Sequence, residues 1–191
     1  RRAIVALWEK FTGNADQFLA WLDQTDFFTA PCSTEYHLAR EGGLAEHSLN
    51  VYNLLHDKVT RHFGLLNEIP ESSIIVCGLG HDLCKANFYI PGYKNVKDDV
   101  TGKWERVPVY KVKDQYPCGH GEKSLSILQD FFKLTEAEKL AIRYHMGPWT
   151  SGVTTDYAAK KSFEAAIEKS VLVPLLISAD YESSHVVERG K

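Results

Sequence analysis

The residues with the most chemistry to offer are His81 and Asp82, an imidazole and a carboxylate set in an otherwise apolar segment, Ile74 to Lys85, IIVCGLGHDLCK. Glu71, Ser72 and Ser73 follow Pro70 with helix-start chemistry, and the run after them is long enough for three helical turns. The pair is therefore expected on a buried helix. There Gly78 lies three residues before His81 and four before Asp82, so the turn beneath the pair carries no side chain and leaves room for an ion. Two glycines inside a helix, Gly78 and Gly80, cost about 1 kcal/mol each relative to Ala, which is tolerable where something approaches the backbone closely. Lys85, four residues after His81, falls on the same face. A carboxylate, an imidazole and an ammonium on one cleared patch suit metal and phosphate chemistry; the plainer alternative is a core histidine beside an ion pair.

Four further residues stand where a polar group needs a partner. His47 interrupts an apolar stripe of Leu44, Val51, Leu54 and Leu55. His120, in Gly119-His120-Gly121-Glu122-Lys123-Ser124, opens a helix, where the macrodipole keeps imidazole neutral and free N–H groups favour an anion. His145 lies four residues after Ala141, near the inward face, and Asp180 follows Leu176 by four, where a carboxylate must be paired, protonated or bound to metal. Each alone also fits a hydrogen-bonded core group. Jointly, His47, His81, Asp82, His120, His145 and Asp180 are satisfied by one shared ion or ion pair. Four imidazoles with two carboxylates suit Fe, Mn, Co, Ni or Zn better than an all-oxygen Mg or Ca site. Six side chains exceed what a tetrahedral zinc takes, so two metals sharing a carboxylate are the economical answer. A rival pair, His56-Asp57, has no glycine below it and is crowded by Lys58, Thr60, Arg61 and His62, so it is expected on a solvated face.

The elements that position these groups are mostly helical. Apolar spacing predicts two helices between Ala3 and Leu22, broken at Thr12-Gly13-Asn14, then a loop with buried aromatics from Asp26 to Cys32 and a helix from Leu44 to Phe63. Thr135 with Glu138 makes a capping box for a helix ending at Gly147-Pro148, a further helix covers about 161–169, and Pro174 marks a helix boundary before Asp180. Between Phe88 and Tyr116 the pattern changes to a β-hairpin, Tyr93 to Lys97 and Trp104 to Val112, around Asp98-Asp99-Val100-Thr101-Gly102. Its six basic residues outnumber its four acids. Tyr93, Trp104 and Tyr110 are expected to bury one hairpin face against the domain, with base stacking as the alternative.

A chain of 191 residues with a formal net charge of −3 reads as one domain, residues 1–191, with an 88–116 insertion, and carries no large basic field of the kind that grips nucleic acid. Cys32, Cys77, Cys84 and Cys118 form no CxxC pair, which suits free thiols in a reducing cytoplasm. The longest apolar run, Val171 to Ile177, is seven residues and contains Pro174, against about 20 for a membrane span. The chain opens on Arg1-Arg2 without an initiating Met, and no signal-peptide core is expected after them.

The order His47, His81-Asp82, His120, His145, Asp180 resembles the dinuclear branch of the HD-domain metal-dependent phosphohydrolases, over residues from about 28 to 181. The stretch FFTAPCSTEYHLAREGGLAEHSLNV is similar to small bacterial and phage HD proteins and to the HD portion of bacterial 3'-to-5' exoribonucleases. The resemblance implies an all-α HD-domain helical bundle and two divalent transition metal ions, with His47 as first histidine and Asp82 bridging both ions. It further implies that His120 and His145 complete the second ion, that Asp180 closes the first, and that Lys85 contacts phosphate. Cys84 departs from the pattern, standing where glycine is common, and nothing resembles the oligonucleotide-binding domain of the exoribonucleases. The implied reaction is hydrolysis of a phosphoester or phosphoanhydride, with Asp82 and Lys85 at the chemistry and Lys85, Lys123, His37 and Arg40 toward the substrate. The expected partner is a small phosphorylated molecule, with nucleotide, cyclic nucleotide, dinucleoside polyphosphate and short oligonucleotide all open, and the hairpin is expected to act as a lid or substrate-selecting wall. Two rivals remain, a di-iron oxygenase of the same superfamily and a non-catalytic nucleotide-sensing module; oligomeric state stays open.

Overall fold

The computed structural model describes residues 1–11 and 15–190; the break expected at Thr12-Gly13-Asn14 lies outside the described residues. Among the described residues are eight α-helices: α1 Arg2–Phe11, α2 Asp16–Asp23, α3 Gly43–Arg61, α4 Glu71–Gly80, α5 His120–Gln129, α6 Glu136–Tyr144, α7 Tyr157–Lys169 and α8 Leu172–Glu182. One antiparallel hairpin, β1 Tyr89–Lys97 paired with β2 Trp104–Val112, is inserted between α4 and α5, with Tyr89 opposite Val112 and Lys97 opposite Trp104. The fold is helical with a hairpin insertion. Among the described residues no helix is long and apolar enough to cross a membrane.

α4 is the buried centre. Its sequence is apolar on every side, and every residue from Ser73 to Gly80 is buried, as expected of a helix wrapped by others. It packs on α1, α3 and α6, while α8 packs on α3 and α6. Gly78 and Gly80 set these distances. A Cβ on Gly78 would lie 2.6 Å from Tyr52 Cα, and one on Gly80 would lie 2.9 Å from Leu128 Cδ1. The glycines let α3 and α5 close onto α4; the space they leave is filled by neighbouring helices and not by an ion, contrary to the sequence expectation.

Away from the site, Trp8 on α1 stacks on Phe132 at 5.7 Å and meets Phe18 of α2 at 4.5 Å. Burying each such large apolar side chain contributes about 1.5 to 3 kcal/mol, which anchors the N-terminal pair of helices to the end of α5. The Thr135–Glu138 capping box is present at the start of α6, and Asp156 caps α7 by accepting from the Ala159 N–H at 2.7 Å. Pro174 sits in the first turn of α8, where its missing N–H has no helical partner to lose.

The hairpin departs from expectation in its aromatics. Tyr93 and Trp104 are exposed, and Tyr93 instead carries the Arg106 guanidinium 4.1 Å from its ring centre. A two-stranded ribbon has too little width to bury both faces, and here its faces stay largely wet. Its base is tied in through the Tyr89 hydroxyl, which donates to the Cys32 carbonyl at 3.3 Å, and farther along β1 the Lys94 ammonium donates to Glu35 at 2.6 Å.

Candidate metal centre

Five elements deliver the six expected side chains to one place. α3 brings His47, α5 brings His120 at its first residue, α6 ends immediately before His145, and α8 brings Asp180. The His81-Asp82 pair differs from expectation. α4 stops at Gly80, His81 caps it, and Asp82 leaves the helix at φ −107°, after which a 3-10 turn over Leu83–Lys85 bends the chain back. That bend, and not continued helix, sets Lys85 Nζ 2.7 Å from Asp82 Oδ2.

Asp82 is the hub. Its Oδ2 faces His47 Nε2 at 3.5 Å and His81 Nε2 at 3.7 Å, while its Oδ1 faces His120 Nε2 at 2.8 Å and His145 Nε2 at 3.5 Å. Asp180 Oδ1 lies 3.2 Å from His47 Nε2, and Nε2 of His81 and His47 are 3.3 Å apart. Behind the cluster three of the four rings are fixed by their other nitrogen. Nδ1 of His81 donates to the Gly78 carbonyl at 2.9 Å, Nδ1 of His145 to the Ile142 carbonyl at 2.6 Å, and Nδ1 of His47 to both oxygens of Glu188 at 3.0 and 3.1 Å. These acceptors fix the proton on Nδ1, so the three Nε2 atoms are left to take whatever positive charge the site holds, proton or metal ion. His145 Nε2 is buried without a hydrogen-bond partner.

The local field calls for that charge. Burial would raise the Asp82 carboxyl, yet Lys85, His81 and the rings of His120 and His145 hold it well below the usual carboxylate range. Asp180 is likewise held low against its burial by His47 and His81. His47 is pushed well above the ordinary histidine value, because Cys32, Asp180 and Glu188 outweigh its burial. His145 is raised against its burial by Asp82 and Asp180. His81 goes the other way, lowered to about 4 by burial that Asp82 and Asp180 only partly offset. A neutral imidazole beside two anions is the protonation state a metal ligand needs.

Among the described residues, three groups of side chains have ligand atoms within 4.8 Å of one another: His47 with His81 and Asp82, Asp82 with His120 and His145, and Cys32 with His37 and His47. The buried His, Asp and Cys groups could hold metal ions. Compared with protein-family models, with curated proteins and with solved structures, the chain matches none.

A cavity of about 370 Å³ opens onto this cluster, with His37, Asp82, Lys85, His145 and Asp180 in its wall. His37, expected from the sequence to line the entrance, is among the residues of the cavity wall. Arg40 and Lys123 are elsewhere. Arg40 pairs with Glu46 and lines a separate groove against the hairpin, and Lys123 is buried with Nζ 2.7 Å from Asp114 and 5.0 Å from the centre of the Phe88 ring. No hairpin residue is among those lining the cavity. The rival His56-Asp57 pair is indeed peripheral, with Asp57 paired to Arg61 and His56 Nε2 3.3 Å from Glu71.

Two residues at the centre escaped sequence reasoning. Glu188, fully buried, grips His47 and in turn accepts from Ser183 Oγ at 2.6 Å and Asn50 Nδ2 at 2.9 Å, which draws its carboxyl down to about 2 against its burial. It is reached through a π-helical turn, Ser183–Val187, whose five-residue spacing breaks the helical pattern that would have flagged it. Cys32 lies with Sγ 3.3 Å from His37 Nε2 and 3.6 Å from Lys85 Nζ. Burial would raise its thiol, but Lys85 and His47 bring it down to about 7. Its only sequence signal was a cysteine in an aromatic-rich loop.

Proposed function

We propose that this chain is a metal-dependent phosphohydrolase of the HD superfamily, acting on a phosphoester or phosphoanhydride of a nucleotide-like substrate with two divalent transition metal ions. The observation that carries the reading is the division of Asp82, one carboxylate oxygen facing His47 and His81 and the other facing His120 and His145. A bridging carboxylate between two imidazole pairs is the donor set expected of a dinuclear centre for Fe, Mn, Co, Ni or Zn. His47, His81, Asp82 and Asp180 would hold one ion, and Asp82, His120 and His145 the other. The orphaned His145 Nε2 and the close Nε2 atoms of His47 and His81 support that fit.

Such ions, when bound, supply Lewis-acid polarisation of a phosphoryl group and a nucleophilic water at neutral pH. The chain supplies the rest. Lys85 stays cationic in its buried position because Asp82 and Cys32 outweigh the effect of burial, so it can neutralise charge developing on phosphate. Glu188 and the carbonyls of Gly78 and Ile142 hold three rings in the ligating tautomer.

Elemental analysis of the purified protein beside Asp82→Ala, followed by a phosphoester panel with the metal found, tests the reading. About two transition metal ions per chain, lost in the variant, with metal-dependent phosphate release, is the expected result. A protein that holds no metal and refuses added metal overturns it, as does an iron centre that consumes oxygen and leaves every phosphoester intact.

A further inference from the structure

The inner end of the cavity accounts for a phosphate, but its outer wall is of another kind. Met146, Trp149, Ile177 and Tyr181 present mostly carbon there, with Ser184 and His185 as the polar exceptions. Trp149 is 68% exposed and Tyr181 52%, unusual for large aromatic rings that line a pocket. The rings are also aligned. Trp149 and Tyr181 are within 10° of parallel with centroids 6.1 Å apart, and Tyr181 and His185 are within 14° at 4.1 Å. Together they form an array of three near-parallel rings, Tyr181 and His185 stacked face to face and Trp149 farther off but parallel to Tyr181. It is tied to the ligand cluster by the chain itself, since Tyr181 follows Asp180 and Trp149 lies four residues after His145.

We propose that Trp149, Tyr181 and His185 form a stacking platform for the base of a nucleotide whose phosphate lies at Lys85 and Asp82. This rests on reading the cavity as the site for a nucleotide-like phosphoester and identifies the part of the substrate that gives it selectivity. A planar π-face satisfies such a platform without hydrogen bonds, whereas recognition of a bare sugar phosphate calls for polar groups around each hydroxyl, of which this wall has few: Ser184, His185 and the polar ring edges of Tyr181 and Trp149. The cavity, at about 370 Å³, falls within the range that encloses small organic ligands. Stacking tolerates every base, so the platform selects nucleotides over other phosphates and discriminates weakly among bases.

The test is calorimetric titration of the purified protein, both chelator-treated and metal-loaded, with adenosine 5′-monophosphate, thymidine 5′-monophosphate and ribose 5-phosphate, reading KM in place of Kd where a probe is turned over. The expected result is that both nucleotides bind at least about tenfold more tightly than ribose 5-phosphate, that Trp149→Ala removes this preference, and that Trp149→Phe keeps most of it. Tyr181→Ala serves as a second, independent variant with the same expected direction. Metal content and affinity for ribose 5-phosphate stay unchanged in all three variants. Equal affinity for all probes, or a nucleotide preference that survives both alanine variants, overturns the platform. A base preference lost in Trp149→Ala, in a protein that cleaves no phosphoester, upholds the platform and ends the hydrolase reading instead; phosphoester cleavage without any base preference does the reverse.

Discussion

His47 and His81 reach Asp82 Oδ2 from fully buried positions, whereas His120 reaches Oδ1 from the first residue of α5 with 32% of its side chain exposed. The backing differs as well. His47 is clamped by a carboxylate that is itself held by Ser183 and Asn50, while Nδ1 of His120 has only the Cys84 sulfur beside it at 3.3 Å. One half of the cluster is built before any ion arrives; the other is open to solvent on one side. Rigid, oriented ligands bind a metal more tightly, so under the two-ion reading proposed above the ion beside His47 would be tightly held and the one beside His120 exchangeable.

The comparison is most severely tested at the residue both halves share. Asp82→Ala is expected to remove both ions and lower phosphoester cleavage by more than about a hundredfold, read by elemental analysis and initial rates. Next come the two halves separately. His120→Ala should retain about one ion per chain through dialysis against chelator, and His47→Ala should retain none; equal retention would abolish the proposed asymmetry. Glu188→Gln keeps the shape and removes the charge, and is expected to weaken the tighter ion by about ten- to a hundredfold in competition with a metal indicator, with the weaker ion unaffected.

Acid sharpens the same point without metal. Glu188 is held at about 2 in the folded protein against an ordinary 4.5, so its folded form binds the proton less readily than its unfolded form. Its contribution to stability is therefore complete above pH 4.5 and is lost as the pH falls toward 2. The gap in thermal midpoint between metal-free wild type and Glu188→Gln should narrow over that interval, and a constant gap would show that the pair with His47 does not carry it. The smallest effect is expected at Arg40→Ala, an exposed pair with Glu46 outside the cavity. It should change stability by less than about 0.5 kcal/mol in denaturant melts and leave metal content alone.

The features legible in the sequence were those with a period or a local motif. The stripe that placed His47 inward, the capping box before α6 and the glycine-led start at His120 each follow from rules that operate within a few residues, and the structure has all three. The glycines of α4 were visible but misread, because sequence cannot tell a gap left for an ion from a gap filled by Tyr52 or Leu128. The end of α4 at Gly80 was hidden for a related reason: the apolar run continues into Leu83 and Cys84, which are buried in a 3-10 turn instead of further helix. Tyr93 and Trp104 carried β-favouring chemistry correctly, but whether a ribbon's aromatics are covered depends on tertiary placement. Glu188 and Cys32 lacked any periodic signal, since each meets the site from a turn or loop.

The grip of Glu188 on His47 spans 141 residues of sequence. A chain made from its N-terminus onward presents the ring of His47 long before the carboxylate that clamps it. Until Glu188 has been made this contact cannot set that imidazole in its final tautomer, and a metal ion held in the arrangement proposed for His47 would have to load after that point.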